Sequence, residues 1–114
     1  MADDRVAQLD ELEPNPCLCG ESRRAFAEGR HEAASVHLVD VAEETRPHWH
    51  KRLTEIYVVL EGEGAVELDG ERVPVRPMTA VLIRPGRRHR AIGRLKILNL
   101  VVPPFDPDDE YPDG

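Results

Sequence analysis

The sequence contains no long apolar run, so a membrane-spanning helix is not expected. Spanning a bilayer takes roughly 20 consecutive apolar residues, and no stretch of the chain approaches that length. The first residues are acidic and lack an apolar segment, so we expect no signal peptide and predict a cytoplasmic protein without membrane contacts. Net positive charge is also missing, because 15 Lys and Arg stand against 22 Asp and Glu. Nucleic-acid phosphates require a basic surface, so a nucleic-acid partner is not expected.

Hydroxyl and thiol nucleophiles are scarce. The two serines, Ser22 and Ser35, do not lie in the glycine-flanked turn of a nucleophilic hydrolase. Cys17 and Cys19 are two thiols, whereas a closed zinc site uses four ligands. On an extended strand their spacing does not set the torsion of a disulfide, so we expect two reduced thiols. A redox or metal-transfer role is the alternative.

Short apolar segments separated by Gly and Pro make up most of the chain. The 114 residues suit one domain. Asp69-Gly70, between two such segments, is typical of a two-residue hairpin turn. Evenly spaced short strands predict an all-β sandwich or barrel. The alternation of apolar and polar residues predicts strands over 35–41, 55–60, 65–68, 71–75, 79–83, 88–92 and 96–102.

The segments outside these strands are harder to interpret. Val6, Leu9 and Leu12 form a weak helical stripe, and residues 21–28 fit a short helix or an edge strand. The last residues are acidic, and we predict that they fold over basic residues between 84 and 96, in the same or a partner subunit; a frayed end is the alternative. We therefore divide the chain into an N-terminal arm (1–34), a barrel (35–102) and an acidic C-terminal tail (103–114).

Two histidines one residue apart are the centre of the predicted site. His48 and His50 lie on one face of a strand because side chains alternate with period two. A tight turn over residues 51–54 would place a second strand beside the first, with Glu55 on the side of the histidines. His89, later in the chain, is a fourth candidate ligand. Imidazole and carboxylate donors suit divalent iron, manganese, nickel, copper or zinc.

The spacing of these residues resembles the cupin family. The first cupin motif has His-x-His, three or four residues, Glu, six residues and Gly. His48, His50, Glu55 and Gly62 match it fully.

The second cupin motif is matched in part, and the resemblance covers roughly residues 35–102. Gly86 and His89 fit, whereas Arg84 replaces the expected Pro, Met78 the opening Gly and Gly93 the closing Asn. The resemblance implies a double-stranded β-helix (cupin or jelly-roll) barrel with a divalent transition metal (Fe, Mn, Ni or Zn) held by His48, His50, Glu55 and His89. Cupin functions vary widely, and some members bind no metal.

Three functions stay open at this point. The first is a metal-dependent enzyme, of oxygenase or of isomerase or lyase type, acting on a small organic molecule. The second is a non-catalytic module that binds a small ligand, and the third is a dimer in which the metal only stabilises the barrel. No general base emerges, so the catalytic residues are unknown. A homodimer is expected in each case.

Two further residues are predicted to bind the small-molecule ligand. Tyr57 shares its face with Glu55 and could offer a hydroxyl group, although a core aromatic is the alternative. His37 lies on a strand that should neighbour the site. Trp49, between the two histidines of the motif, should point away from them.

Overall fold

The computed structural model describes residues 5–27, 33–43 and 45–112, and the regular structure in this part of the chain is β-strand with two short 3-10 turns. The 3-10 turns span Leu9–Glu11 and Pro107–Asp109. The strands are β1 (Pro14–Cys17), β2 (Gly20–Ala25), β3 (Ser35–Val41), β4 (His48–Trp49), β5 (Thr54–Glu61), β6 (Gly64–Leu68), β7 (Glu71–Val75), β8 (Ala80–Ile83), β9 (His89–Ile92), β10 (Lys96–Val102) and β11 (Tyr111–Pro112). None of the described helices could span a membrane.

Two antiparallel sheets form the fold. One has the order β1-β2-β3-β10-β5-β8 and the other β11-β4-β9-β6-β7. The core lies between them: Val59 and Ile97 come from the first sheet and Val66 and Ala91 from the second, each at most 3% exposed. A fully buried Val or Ile stabilises a fold by roughly 1.5–3 kcal/mol. The all-β prediction is confirmed.

The N-terminal segment adds two strands to the larger sheet. β2 pairs with β3 on one side and with β1 on the other, so residues 21–25 form an interior strand rather than an edge strand or a helix. The helical stripe does not form a helix in the described residues beyond the single 3-10 turn, and Val6 is 72% exposed. An isolated stripe of three apolar residues lacks a surface to pack on, and helix formation without tertiary contacts is weak.

The cysteine prediction is wrong, because Cys17 and Cys19 form a disulfide. The chain does not stay extended between them: Cys17 pairs with Gly20, and Leu18 and Cys19 form the turn between β1 and β2. This turn brings the two Cα atoms to 5.1 Å, within the range that a disulfide bridges. The hairpin therefore supplies the geometry that a straight strand lacks.

The turn after the His-x-His pair connects the two sheets. β4 belongs to the smaller sheet and β5 to the larger one, so the second strand does not lie beside the first as predicted. Glu55 instead reaches the histidines across the interior. The prediction that Glu55 shares their side is right, but the cause is the crossing between sheets and not strand pairing.

The described part of the C-terminal tail folds back onto this same turn. β11 pairs with β4, and the Tyr111 ring stacks on Trp49 with ring centroids 4.6 Å apart. The tail folds back as predicted, but Asp106 pairs with a different basic residue: it forms an ion pair of 2.6 Å with Arg52 and not with a basic residue between 84 and 96. Stacking on Tyr111 also places Trp49 away from the interior, as predicted.

Candidate metal centre and cavity

Four buried side chains converge between the two sheets. His48 on β4 and His89 on β9 are register partners, His50 follows β4, and Glu55 lies on β5 of the facing sheet. Each is at most 5% exposed, and one ligand atom from each lies within 4.8 Å of all the others. The structure thus brings together all four residues that the sequence predicted as metal ligands.

The candidate ligand atoms lie close together, but they do not satisfy one another's hydrogen-bonding capacity. Glu55 Oε1 lies 3.0 Å from His50 Nε2 and 2.9 Å from His89 Nε2. These three buried atoms have no hydrogen-bond partner of good geometry among the described residues. Buried polar atoms without partners are costly, by about 1–3 kcal/mol each. A shared cation would satisfy all of them at once, so the cluster could hold a metal ion.

Backbone carbonyls select the tautomer of each imidazole. Nδ1 of His48 lies 3.2 Å from the Arg46 carbonyl oxygen, and Nδ1 of His89 lies 2.9 Å from that of Arg87. Nδ1 of His50 lies 2.8 Å from the carbonyl oxygen of Asp109, in the tail. A carbonyl only accepts, so each Nδ1 carries a proton, and in the neutral ring Nε2 presents its lone pair to the cluster. Metal-binding histidines are oriented in the same way.

Asn99 orients the carboxylate. Its Nδ2 donates a hydrogen bond of 2.5 Å to Glu55 Oε2, which leaves Oε1 for the imidazoles. Sequence reasoning missed Asn99, although the signal was present: it occupies an inward position of β10, in phase with Ile97 and Val101. A polar residue at a core position of a strand is unusual unless it has a partner.

Burial and the Glu55 charge act in opposite directions on the histidines. Burial lowers the pKa of His48 to about 4, with a further contribution from His89, so His48 is neutral at pH 7. At His50 burial also opposes protonation, but the interaction with Glu55 outweighs it and raises the pKa. Burial alone would raise the pKa of Glu55, but His50 and His89 hold it well below its usual range. The carboxylate is therefore ionised and available as an anionic ligand.

A cavity opens from the cluster towards the N-terminal strands. It is narrow, with room for about one or two waters. Both residues predicted to bind the small-molecule ligand, His37 and Tyr57, lie on its wall. Burial lowers the pKa of His37 to about 4 and raises that of Tyr57, so both are neutral hydrogen-bonding groups at pH 7. Other residues on the wall are Cys17, Cys19, Ser22, Arg24, Val39, Val41, Ala91, Ile97, Asn99, Phe105 and Glu110.

Glu110 is a second carboxylate beside the cluster. Its Oε1 lies 3.9 Å from His48 Nε2, too far for a hydrogen bond. Burial raises its pKa, and the Glu55 charge adds to this while His50 acts against it. Sequence reasoning could not find this residue, because its place in the cavity depends on the tail folding back onto the His-x-His turn.

Comparison with known proteins identifies the family. The model of the cupin domain matches residues 35–96. The chain belongs to the cupin family. This cupin is 37% identical to a protein of Planctomyces limnophilus whose crystal structure superposes with a TM-score of 0.87, covering 97% of this chain and 96% of that one.

Other relatives are more distant or only partly covered. An uncharacterized protein of Methanocaldococcus jannaschii is 37% identical over 76 residues, which are 63% of this cupin and 61% of that protein. The chain spans about three fifths of the length of the curated relatives it matches. The nucleoside dehydratase Pac13 of Streptomyces is similar in fold, with a TM-score of 0.77 and 22% identity over 93% of this chain and 88% of that one.

Proposed function

We propose that this cupin is a metal-dependent enzyme that acts on a small organic molecule, with a divalent transition metal bound by His48, His50, Glu55 and His89. The observation that carries the proposal is the set of unsatisfied Nε2 and Oε1 atoms of His50, His89 and Glu55, buried together and aimed at one point. Three imidazoles and one carboxylate suit Fe, Mn, Ni or Zn. When bound, such an ion acts as a Lewis acid or redox centre and as a template for the substrate.

The protein supplies the rest of the site. Carbonyl oxygens and Asn99 fix the donors before the ion arrives, so little ordering remains to be done on binding. Glu110 offers a carboxylate beside the cluster that can exchange a proton with a bound molecule, which supports isomerase or lyase chemistry. Tyr57 and His37 line the cavity and present polar groups to the substrate.

Metal content tests the proposal directly. Protein purified without a polyhistidine tag should contain a transition metal that elemental analysis identifies, and His89→Ala should lower the content to near background. His37→Ala is the matched control, because it also removes a buried histidine from the cavity wall but leaves the four ligands in place. A folded His89→Ala protein that retains as much metal as the unmodified protein would contradict the proposal.

Two further measurements separate the reaction types. Iron in the site together with oxygen uptake that requires an added substrate would indicate an oxygenase. A redox-inactive ion with product formation and no oxygen uptake would indicate an isomerase or lyase. Ligand binding without turnover would support the alternative of a non-catalytic small-ligand-binding cupin.

A further inference from the structure

A row of four polar residues crosses the larger sheet at one level. Arg24 on β2 is the register partner of His37 on β3, His37 is the partner of Asn99 on β10, and Asn99 is the partner of Tyr57 on β5. Register partners point to the same face of a sheet, and all four line the cavity. The inward row on one side contains Ser22, Val39, Ile97 and Val59, and the row on the other side contains Ser35, Val101 and Glu55. The polar row therefore lies between the apolar core and the carboxylate of the cluster.

The hydrogen bonds of Ser35 determine which nitrogen of His37 carries the proton. Ser35 is fully buried, and its Oγ accepts a hydrogen bond of 2.9 Å from the Phe105 N–H. Its other partner among the described residues is His37 Nε2, at 2.8 Å. Donation to Nε2 is the arrangement that gives the buried hydroxyl proton an acceptor, and we assign it on this ground, which places the imidazole proton on Nδ1. His37 thus keeps one N–H that has no partner among the described residues.

Asn99 keeps an unused acceptor. Its amide nitrogen is committed to Glu55, and its Oδ1 is buried without a hydrogen-bond partner among the residues that the structure describes. The residue is 6% exposed. A buried amide oxygen in a cavity wall can accept a hydrogen bond from a donor of a bound molecule.

Arg24 is held rigidly at the other end of the row. Its Nε donates a hydrogen bond of 2.9 Å to Ser22 Oγ, and its guanidinium lies over the Phe105 ring, 4.6 Å from the centroid. The Glu110 carboxylate also acts on the charge of the guanidinium. A guanidinium fixed in this way can present two parallel N–H groups to a carboxylate.

From this row we infer that the substrate is a small organic carboxylate that also carries a hydroxyl group. The carboxylate would bind Arg24 and the His37 N–H, and the hydroxyl would donate to Asn99 Oδ1. The inference rests on the proposed function, because it needs the charge of the bound metal. A divalent ion and Arg24 bring three positive charges and Glu55 and Glu110 two negative ones, so the cavity would keep one positive charge for an anionic ligand. The cavity has room for about one or two waters, so the ligand must be one of the smallest hydroxy acids.

The test uses zinc-loaded protein and pairs of small acids that differ in one hydroxyl group. Glycolate is compared with acetate and lactate with propionate, in titrations followed by NMR chemical shifts. We expect at least one hydroxy acid to bind at least tenfold more tightly than its partner. Lactamide has the hydroxyl group without the charge and should bind at least tenfold more weakly than lactate. Equal affinities within every pair, or no binding of any acid, would overturn the inference.

Arginine variants identify the group that recognises the carboxylate. Arg24→Gln should weaken binding of the preferred acid at least tenfold, and Arg24→Lys should weaken it less. Arg23→Gln is the matched control, because Arg23 is the next residue on β2 and lies on the opposite face of the sheet. It should change the affinity less than twofold. Arg24→Gln protein that is folded by circular dichroism and binds as tightly as the unmodified protein would overturn the inference.

Titrations of metal-free protein separate this inference from the proposed function. Binding of zinc at the four ligands without binding of any acid would overturn the carboxylate inference alone. Binding of an acid that depends on Arg24, in a protein that takes up no metal, would overturn the metal-dependent function alone.

Discussion

Asp109 is predicted to contribute more to stability than any other residue of the tail described here. It is 2% exposed, and its carboxylate accepts hydrogen bonds from three consecutive backbone N–H groups. The distances are 2.9 Å from Lys51, 2.9 Å from Arg52 and 3.2 Å from Leu53. We expect Asp109→Ala to destabilise the fold, because it removes all three bonds from the turn that connects the two sheets.

The expected loss of stability depends on which of the three N–H groups water can hydrate in the variant. A hydrogen bond to a charged group contributes about 1.5–3 kcal/mol. Lys51 and Arg52 are exposed, so water can hydrate their N–H groups in the variant. Leu53 is 1% exposed, so its N–H would lose its partner in a buried place. We therefore expect a loss of about 3 kcal/mol, which for a domain of this size lowers Tm by roughly 12 °C.

Chemical denaturation of metal-free protein measures this loss without interference from ligands. Asp106→Ala is the control: it lies in the same tail and pairs with Arg52, but that pair is exposed and should contribute about 1 kcal/mol or less. We also expect Asp109→Ala to bind metal about tenfold more weakly, since the Asp109 carbonyl orients His50. If Asp109→Ala is as stable as Asp106→Ala, the reasoning is refuted.

The same carboxylate gives the stability a dependence on pH. Burial alone would raise the pKa of Asp109, but the hydrogen bonds from Arg52, Lys51 and Leu53 outweigh it and lower the pKa below its usual value. A lowered folded-state pKa stabilises the fold above the unfolded-state pKa of about 3.9, and this stabilisation is lost as the pH falls through the folded-state value. The stability difference between Asp109→Ala and the unmodified protein should therefore be constant near neutral pH and shrink below about pH 4.

Three further predictions concern the scaffold. Gly62→Ala should lower the free energy of unfolding by about 3 kcal/mol in denaturation experiments, because φ is +92° and the new Cβ would collide with a backbone carbonyl. Gly86→Ala is the control and should lower it by about 1 kcal/mol, since φ is +86° but the space around the new Cβ is open. Equal losses would contradict this. Reducing the Cys17–Cys19 disulfide should cost no more than about 1.5 kcal/mol, because the closed loop is very short, and a larger shift in the denaturation midpoint would argue otherwise. The expected homodimer would use the outer face of β5 and β8, where Leu82 is 51% exposed. Light scattering should detect a dimer of the unmodified protein and a monomer of Leu82→Glu. A monomeric unmodified protein would contradict this prediction.

Much of the fold could be predicted because strand patterns are local. Asp69 and Gly70 form the predicted turn between β6 and β7, both with positive φ, as a two-residue hairpin requires. The seven predicted strands agree with the structure within one residue at both ends. The β1–β2 hairpin was missed because Pro14 and Pro16 read as a linker, although proline is tolerated on an edge strand.

Some residues of the site could likewise be predicted from a local sequence pattern, whereas others are placed by long-range contacts. Motif spacing identified all four residues of the cluster. His48, His50 and Glu55 lie in one short segment that ends at Gly62, and His89 belongs to the partly matched second motif. The spacing did not reveal that β4 and β5 lie in different sheets. Asp109 and Glu110 could not be found from the sequence, because their positions depend on contacts with residues about 60 positions earlier.

The hydrogen bond between His50 and the Asp109 carbonyl joins two equilibria, occupation of the cluster and docking of residues 106–112. If an ion prefers the docked form by some factor, thermodynamic reciprocity requires that it strengthen docking by the same factor. Protease cleavage of the C-terminal residues should then slow as the ion is added, and the rate of cleavage would report how much of the protein is loaded.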